Sequence, residues 1–124
     1  MHCPIKDVEE LKFDLINQLE NLDASDDVIV VIDSVGNLAS KKELDDALAE
    51  KGVADMSRAK SLKGLFRMVT PYLTKKEVPL LAINHTYKEI GLFPKDIVGG
   101  GTGIYYSADN IWILGVNRKN KGLR

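Results

Sequence analysis

Asp33 and Ser34 close the run Val28–Ser34, VIVVIDS, in which five consecutive apolar residues end in a carboxylate and a hydroxyl. A β-branched run of this kind predicts a parallel strand over Val28–Ile32 buried on both faces, and open α/β sheets gather their ligands at the carboxyl ends of such strands. Asp33 is thereby placed where the metal of a nucleotide would sit. A second buried strand is predicted over Pro79–Ile83, with proline at its permitted first position, and it too ends in polar groups, Asn84 and His85. The chain has no G-x-x-x-x-G-K-[ST] segment, whose backbone amides and lysine would cradle phosphates, so these residues make half of a nucleotide site. Judged on the residues alone, Asp33 could equally cap a turn, and His85 could be a satisfied histidine at a strand end.

Two further groups could meet a phosphodiester chain. Lys60, Lys63 and Arg67 fall together on a helical wheel beside an apolar face, whereas Arg58 projects roughly opposite to them. Cations on a shared face suffice for phosphate contacts but also describe an ordinary solvated face. The run Val98-Gly-Gly-Gly-Thr-Gly103 carries Gly99, Gly100, Gly101 and Thr102. Its amides could form an anion-binding nest or admit a close backbone, or the run could be a flexible linker. Phe93, Tyr105 and Tyr106 could stack on bases or pack internally.

The elements that must position these groups alternate as in a parallel α/β sheet. A helix is predicted over 7–22 from Val8, Leu11, Leu15, Leu19 and Leu22, with Asp7 and Glu10 resembling a capping box. Residues Leu38–Ala54 read as a mobile loop with a short helix. A long helix covers Met56–Leu73, with Ala59, Leu62, Leu65, Phe66, Val69 and Leu73 on its core side. Tyr87–Ser107 is too glycine-rich for regular structure and too long for a plain connection, which predicts a functional loop, disordered without nucleic acid. A last strand, Asn110–Val116, is centred on Trp112 and precedes a basic tail, Asn117–Arg124. Ile111, Trp112, Ile113, Met56 and Met68 are assigned to the core.

Composition bounds the rest. A length of 124 residues with 44% hydrophobic content suits one modest domain. With 17 basic and 18 acidic residues, the net charge of −1 gives no global field favouring nucleic acid, so any such binding must be local. The single cysteine, Cys3, excludes an internal disulfide, and no apolar run is long enough for a membrane span. His2, Cys3 and His85 give no zinc spacing. A soluble protein of the reducing cytoplasm is expected.

Taken together, VIVVIDSVGNLASKKE, DMSRAKSLKGLFRMVTPYL, LLAINHTY and VGGGTGIYYSAD run in one order over nearly the whole chain. In these motifs the sequence resembles the central part of RecA-family recombinases, and within them the UvsX type of tailed phages. The resemblance implies a partial RecA-like (P-loop NTPase) α/β core, a mainly parallel sheet flanked by helices and lacking the P-loop strand, as a single partial domain over residues 1–124. It implies that Asp33 is the Walker B residue, touching magnesium through water, with Ser34, Asn84 and His85 also on the nucleotide side. Asn84 and His85 then act as the γ-phosphate sensor; bacterial members generally carry glutamine where this chain has His85. Two loops, Leu38–Ala54 and Lys88–Ser107, are implied to face single-stranded DNA, together with Lys60, Lys63, Arg67, Gly99, Gly100, Gly101 and Thr102.

The intact family member is an ATP- and magnesium-dependent DNA-strand-exchange protein active in a bacterial or phage-infected cell. Because the P-loop and the catalytic glutamate are missing from this sequence, it is expected to be a fragment that binds neither ATP nor magnesium and is no competent ATPase. The alternative is a non-catalytic module that self-associates, as a dimer or a filament-like assembly, or that joins a complete recombinase.

Overall fold

A computed structural model describes residues 1–48 and 57–115. Helix α1 runs Val8–Glu20, one residue inside the predicted start, because Asp7 is its N-cap and accepts from the Glu10 amide at 2.7 Å. The Glu10 carboxylate reaches back to the Lys6 amide, so the capping box is closed one residue further upstream than its usual form. Strand β1 is Val30–Ile32, α2 is Lys41–Leu48, α3 is Ser57–Lys76 and β2 is Leu80–Ala82. Strands β3 (Thr86–Lys88) and β4 (Asp96–Val98) are followed by α4 (Thr102–Ser107).

The molecule is α/β, with a small parallel sheet: β1 pairs with β2 in the register Val30↔Leu80, Val31↔Leu81, Ile32↔Ala82. Helix α3 is the crossover that lets two parallel strands meet. It ends in a Schellman arrangement, with Glu77 at φ 53°, its amide on the Thr74 carbonyl and the Val78 amide on the Leu73 carbonyl, and Pro79 then starts the next strand direction. The helix runs through Pro71, beyond the predicted end at Leu73, and the predicted first residue, Met56, lies outside the described residues.

One core holds the layers together. Leu11, Leu15 and Leu19 of α1 meet Leu62, Leu65, Phe66 and Val69 of α3, with Ile32, Val35, Val78 and Ile104 around them. The three-and-four spacing read from both helices therefore marks their buried faces. Met68, expected in the core, is 47% exposed, since at one position before Val69 it falls off that stripe.

Several expectations are corrected. Neither strand is buried on both faces: Ile32 is 7% exposed but its neighbour Val31 is 54%, and Leu81 is 47%. With two strands and helices against one side only, alternate side chains have no layer to bury against. Val28 and Ile29 precede the strand and are exposed. Residues 110–115 form no strand, and Ile111, Trp112 and Ile113 lie exposed, because among the described residues no strand pairs with them. Val116 and the predicted tail Asn117–Arg124 lie outside the described residues.

The segment Tyr87–Ser107 is only partly irregular, in residues 89–95 and 99–101. Strands β3 and β4 form an antiparallel hairpin in the register Thr86↔Val98, tied by a Lys88–Asp96 ion pair at 2.7 Å, and the glycine run leads directly into α4. Of Leu38–Ala54, residues 41–48 take the predicted short helix, α2, and 49–54 lie outside the described residues. Among the described residues no helix is long and apolar enough to cross a membrane.

Candidate functional site

The carboxyl ends of β1 and β2 lie side by side, as parallel pairing requires. Pairing continues past both strands: the Ile83 amide donates to the Ile32 carbonyl at 2.9 Å, and the Ile83 carbonyl accepts from the Val35 amide at 2.8 Å. Asp33 and Ser34 sit between these two bonds, two residues where a regular parallel ladder would place one, so the strand end bulges. The Asp33–Ser34 peptide bond is cis. Asp33 is exposed, whereas Ser34 is 7% exposed with its Oγ buried and without a hydrogen-bond partner. Of the pair, the carboxylate faces solvent and the hydroxyl is turned into the protein.

Asn84 and His85 follow β2 and grip the glycine run. Asn84 Nδ2 donates to the Gly99 carbonyl at 2.7 Å, the Gly99 amide donates to the His85 carbonyl at 2.9 Å, and Asn84 Oδ1 accepts from the His85 amide at 2.9 Å. The imidazole of His85 lies on Gly36, in the 3-10 turn Val35–Asn37 that follows β1. A Cβ at Gly36 would stand 2.4 Å from His85 Cδ2, so only glycine permits this seat. Four of the residues singled out from sequence, Asp33, Ser34, Asn84 and His85, are thus brought to one edge of the sheet.

The glycine run is packed against α3. Gly100 and Gly101 have φ of +86° and +82°, where a side chain is strained, and a Cβ at Gly101 would lie 3.1 Å from that of Ala59. A Cβ at Gly103 would lie 2.7 Å from that of Lys63. The glycines therefore allow helix α4 and its approach to sit flush on α3. Lys63 is brought beside Gly103, while Lys60 and Arg67, one turn to either side on α3, are exposed with it. Thr102 opens α4 and is exposed. Tyr105 and Tyr106 stand edge to face with centroids 5.6 Å apart and are 52% and 81% exposed. Phe93, at the hairpin tip, is also exposed.

Several residues that the sequence does not mark as functional hold the site in place. Arg58 projects opposite to the cationic stripe, as its place on the helical wheel predicts, and this direction is inward: its Nη2 donates to the Val35 carbonyl at 3.1 Å and the Gly36 carbonyl at 3.0 Å. Gly36 carries the His85 ring. Glu9 joins three helices: its carboxylate accepts from the Lys41 amide at 2.8 Å and from Ser61 Oγ at 2.7 Å. Burial pushes the Glu9 carboxyl up, but the hydrogen bonds from Ser61 and Lys41, with Lys12 nearby, outweigh it and hold it below its ordinary value. Beside it, Ser40 and Glu43 form a reciprocal capping box at the start of α2, and Ser40 Oγ meets Ser57 Oγ at 2.7 Å. A glutamate on α1 gives no sequence signal for this role, because its partners lie 32 and 52 residues away.

The chemistry available at the sheet edge is that of a hard oxygen donor next to hydrogen-bonding tips. No group of three or more His, Cys, Asp or Glu that could hold a metal ion exists among the described residues. Asp33 is a single exposed carboxylate at the carboxyl end of β1. A surface hollow at the opposite, amino ends of the strands is lined by Asp26, Asp27 and Glu77, a charge that repels phosphate.

No protein-family model matches the chain. Over 122 residues, 98% of its length, it is 51% identical to the "Recombination and repair protein" of Enterobacteria phage T4, of which it spans 31%, about a third.

Proposed function

We propose that this chain is part of the ATPase core of a RecA-like recombinase of the UvsX type, the part that carries the Walker B strand, the sensor strand and the single-stranded DNA-binding face. The observation that carries this reading is the 51% identity to a phage recombination and repair protein, sustained over nearly the whole chain. The geometry is consistent with it. Asp33 stands ready for a phosphate-held magnesium, and Asn84 and His85 bind the glycine run that borders Lys63. In the complete protein, nucleotide state at the strand ends would reach the DNA loop through these bonds, and Lys60, Lys63, Arg67, Gly99, Gly100, Gly101 and Thr102 would line the DNA. ATP and magnesium belong to that complete protein, a DNA-dependent ATPase of the bacterial or phage-infected cytoplasm. This chain, without the phosphate cradle, holds neither and turns over no ATP.

Anisotropy of a labelled thymidine oligonucleotide, at low and moderate salt and with or without Mg–ATP, tests the reading. Binding is expected to weaken with salt and to ignore ATP. In a Lys60→Ala/Lys63→Ala variant the salt slope should fall by about 1.4, at roughly 0.7 per lost contact to a single strand. Absence of binding at low salt would remove the DNA-binding assignment.

One observation favours a second reading, a self-associating module. Val31 and Leu81, paired across the strands, share an uncovered apolar face with Ile29 and Ile83, and such faces invite a second copy. Sedimentation as a monomer at high micromolar concentration would end it.

A further inference from the structure

We propose that Arg58 is a positioning residue that locks the turn after Asp33 to helix α3 and so keeps His85 seated on Gly36. The proposal deepens the DNA-binding reading above and rests on it only for its last step.

Three separate contacts meet at this turn. Arg58 Nη2 donates to both the Val35 and Gly36 carbonyls, at 3.1 and 3.0 Å, from the first turn of α3. The Val35 amide is bonded to the Ile83 carbonyl, one residue before Asn84, so the same turn is fixed to the sensor strand. The imidazole of His85 lies on the open Cα face of Gly36, which a methyl group would block. Val35 itself is 1% exposed, so the turn cannot shift without opening the core. The guanidinium is partly buried and its Nε has no hydrogen-bond partner, which means the side chain forgoes solvation to hold these two carbonyls. Nη2 carries two N–H groups, one for each carbonyl, and a lysine ammonium, though it has donors enough, sits on a shorter side chain without the planar orientation of the guanidinium.

The chain of contact has a direction. Helix α3 carries Lys60, Lys63 and Arg67 outward and Arg58 inward. A displacement of the first turns of α3 is therefore passed to Gly36, from Gly36 to the His85 ring, and from the His85 carbonyl to the Gly99 amide. Arg58 thus joins the cationic face of α3 to the strand tips by a route separate from the direct packing of Gly103 on Lys63.

Nuclear magnetic resonance of the 124-residue chain tests this without nucleic acid. The wild type should show a cross-relaxation peak between the Gly36 α-protons and the His85 Hδ2 proton, and slow exchange of the Gly99 amide. In Arg58→Met, the peak should disappear and Gly99 exchange should accelerate at least tenfold, while the amides of Leu65 and Val69 change less than twofold. Arg58→Lys should recover part of the peak. Retention of the peak and of Gly99 protection in folded Arg58→Met would overturn the proposal. Should Arg58→Met not fold, the decision falls to Arg58→Lys: wild-type values there overturn the proposal, and a weakened peak with an unchanged core supports it.

Adding a thymidine oligonucleotide separates this proposal from the DNA reading. If the wild type binds and its Gly36 and His85 signals move, Arg58→Met should still bind, within about threefold, with those movements lost. If the wild type does not bind, the DNA reading fails, and the first experiment still decides the role of Arg58.

Discussion

The two faces of the β1–β2 pair are built from the same apolar letters and have opposite fates. On the inner face Ile32 is packed by α1 and α3, and the helices contribute Leu19, Leu62, Leu65 and Val69 at 1% exposure or less. On the outer face Ile29, Val31, Leu81 and Ile83 form an equally apolar surface with nothing over it among the described residues. Burial is therefore a property of the layer opposite and not of the strand. The inner face supplies the stability of the chain as described, and the outer face supplies little until something covers it.

This contrast is easiest to break at its strongest point. Leu65→Ala, at 0% exposure in the core that α3 shares with α1, should lower unfolding stability by about 2–5 kcal/mol, read from the midpoint of a urea titration. A cost under 1 kcal/mol would mean that the inner face is not the organising core.

The sequence made this core legible for a physical reason: both helices repeat apolar residues at three and four positions, a period that only a one-sided helix needs, and Asp7 announces its cap. The strands were legible in place but not in burial, since VIVVI reads alike whether one face or two are covered. Trp112 misled in the same way, being apolar without a partner strand to hold it. The glycine run was ambiguous because composition does not distinguish freedom from close fit; Gly101 and Gly103 turn out to be surfaces for Ala59 and Lys63. At the candidate site Asp33, Asn84 and His85 could be placed from strand ends alone. Arg58 could not, because a helical wheel gives a direction and not the two carbonyls lying in it.

A smaller effect is expected at the edge of the inner region, where Glu9 binds α2 and α3 to α1. Glu9→Gln should cost about 1 kcal/mol at neutral pH, the scale of a hydrogen bond to a charged group that is partly exposed. Its folded carboxyl lies below the unfolded value, so its contribution is full above the unfolded pKa of about 4.3 and fades as pH falls through the lower folded value. The gap between wild type and variant should accordingly close on acidification from pH 5 towards 3. A gap that widens over that range would reverse the assignment.

The smallest effect sharpens the comparison most. Val31→Thr on the outer face should change the stability of a monomeric chain by no more than about 0.5 kcal/mol, the range of ordinary surface substitutions. The same substitution should cost well above that, by an amount that grows with the logarithm of protein concentration, if a second copy covers the face. Unfolding curves at two concentrations distinguish the cases.

The register of the strands also sets an order of events in time. The pairing of Val30 with Leu80 closes fifty residues of chain, whereas the hairpin pairs Thr86 with Val98, only twelve apart. Local closures are fast and distant ones slow, so the hairpin can form before the parallel sheet from which it hangs. Asn84 and His85 meet Gly99 early, but His85 reaches Gly36 only when the last long-range pairing is made. Completion of the candidate site and completion of the fold are then the same kinetic step, and a refolding full chain passes through a state with a formed hairpin and no parallel sheet beside it.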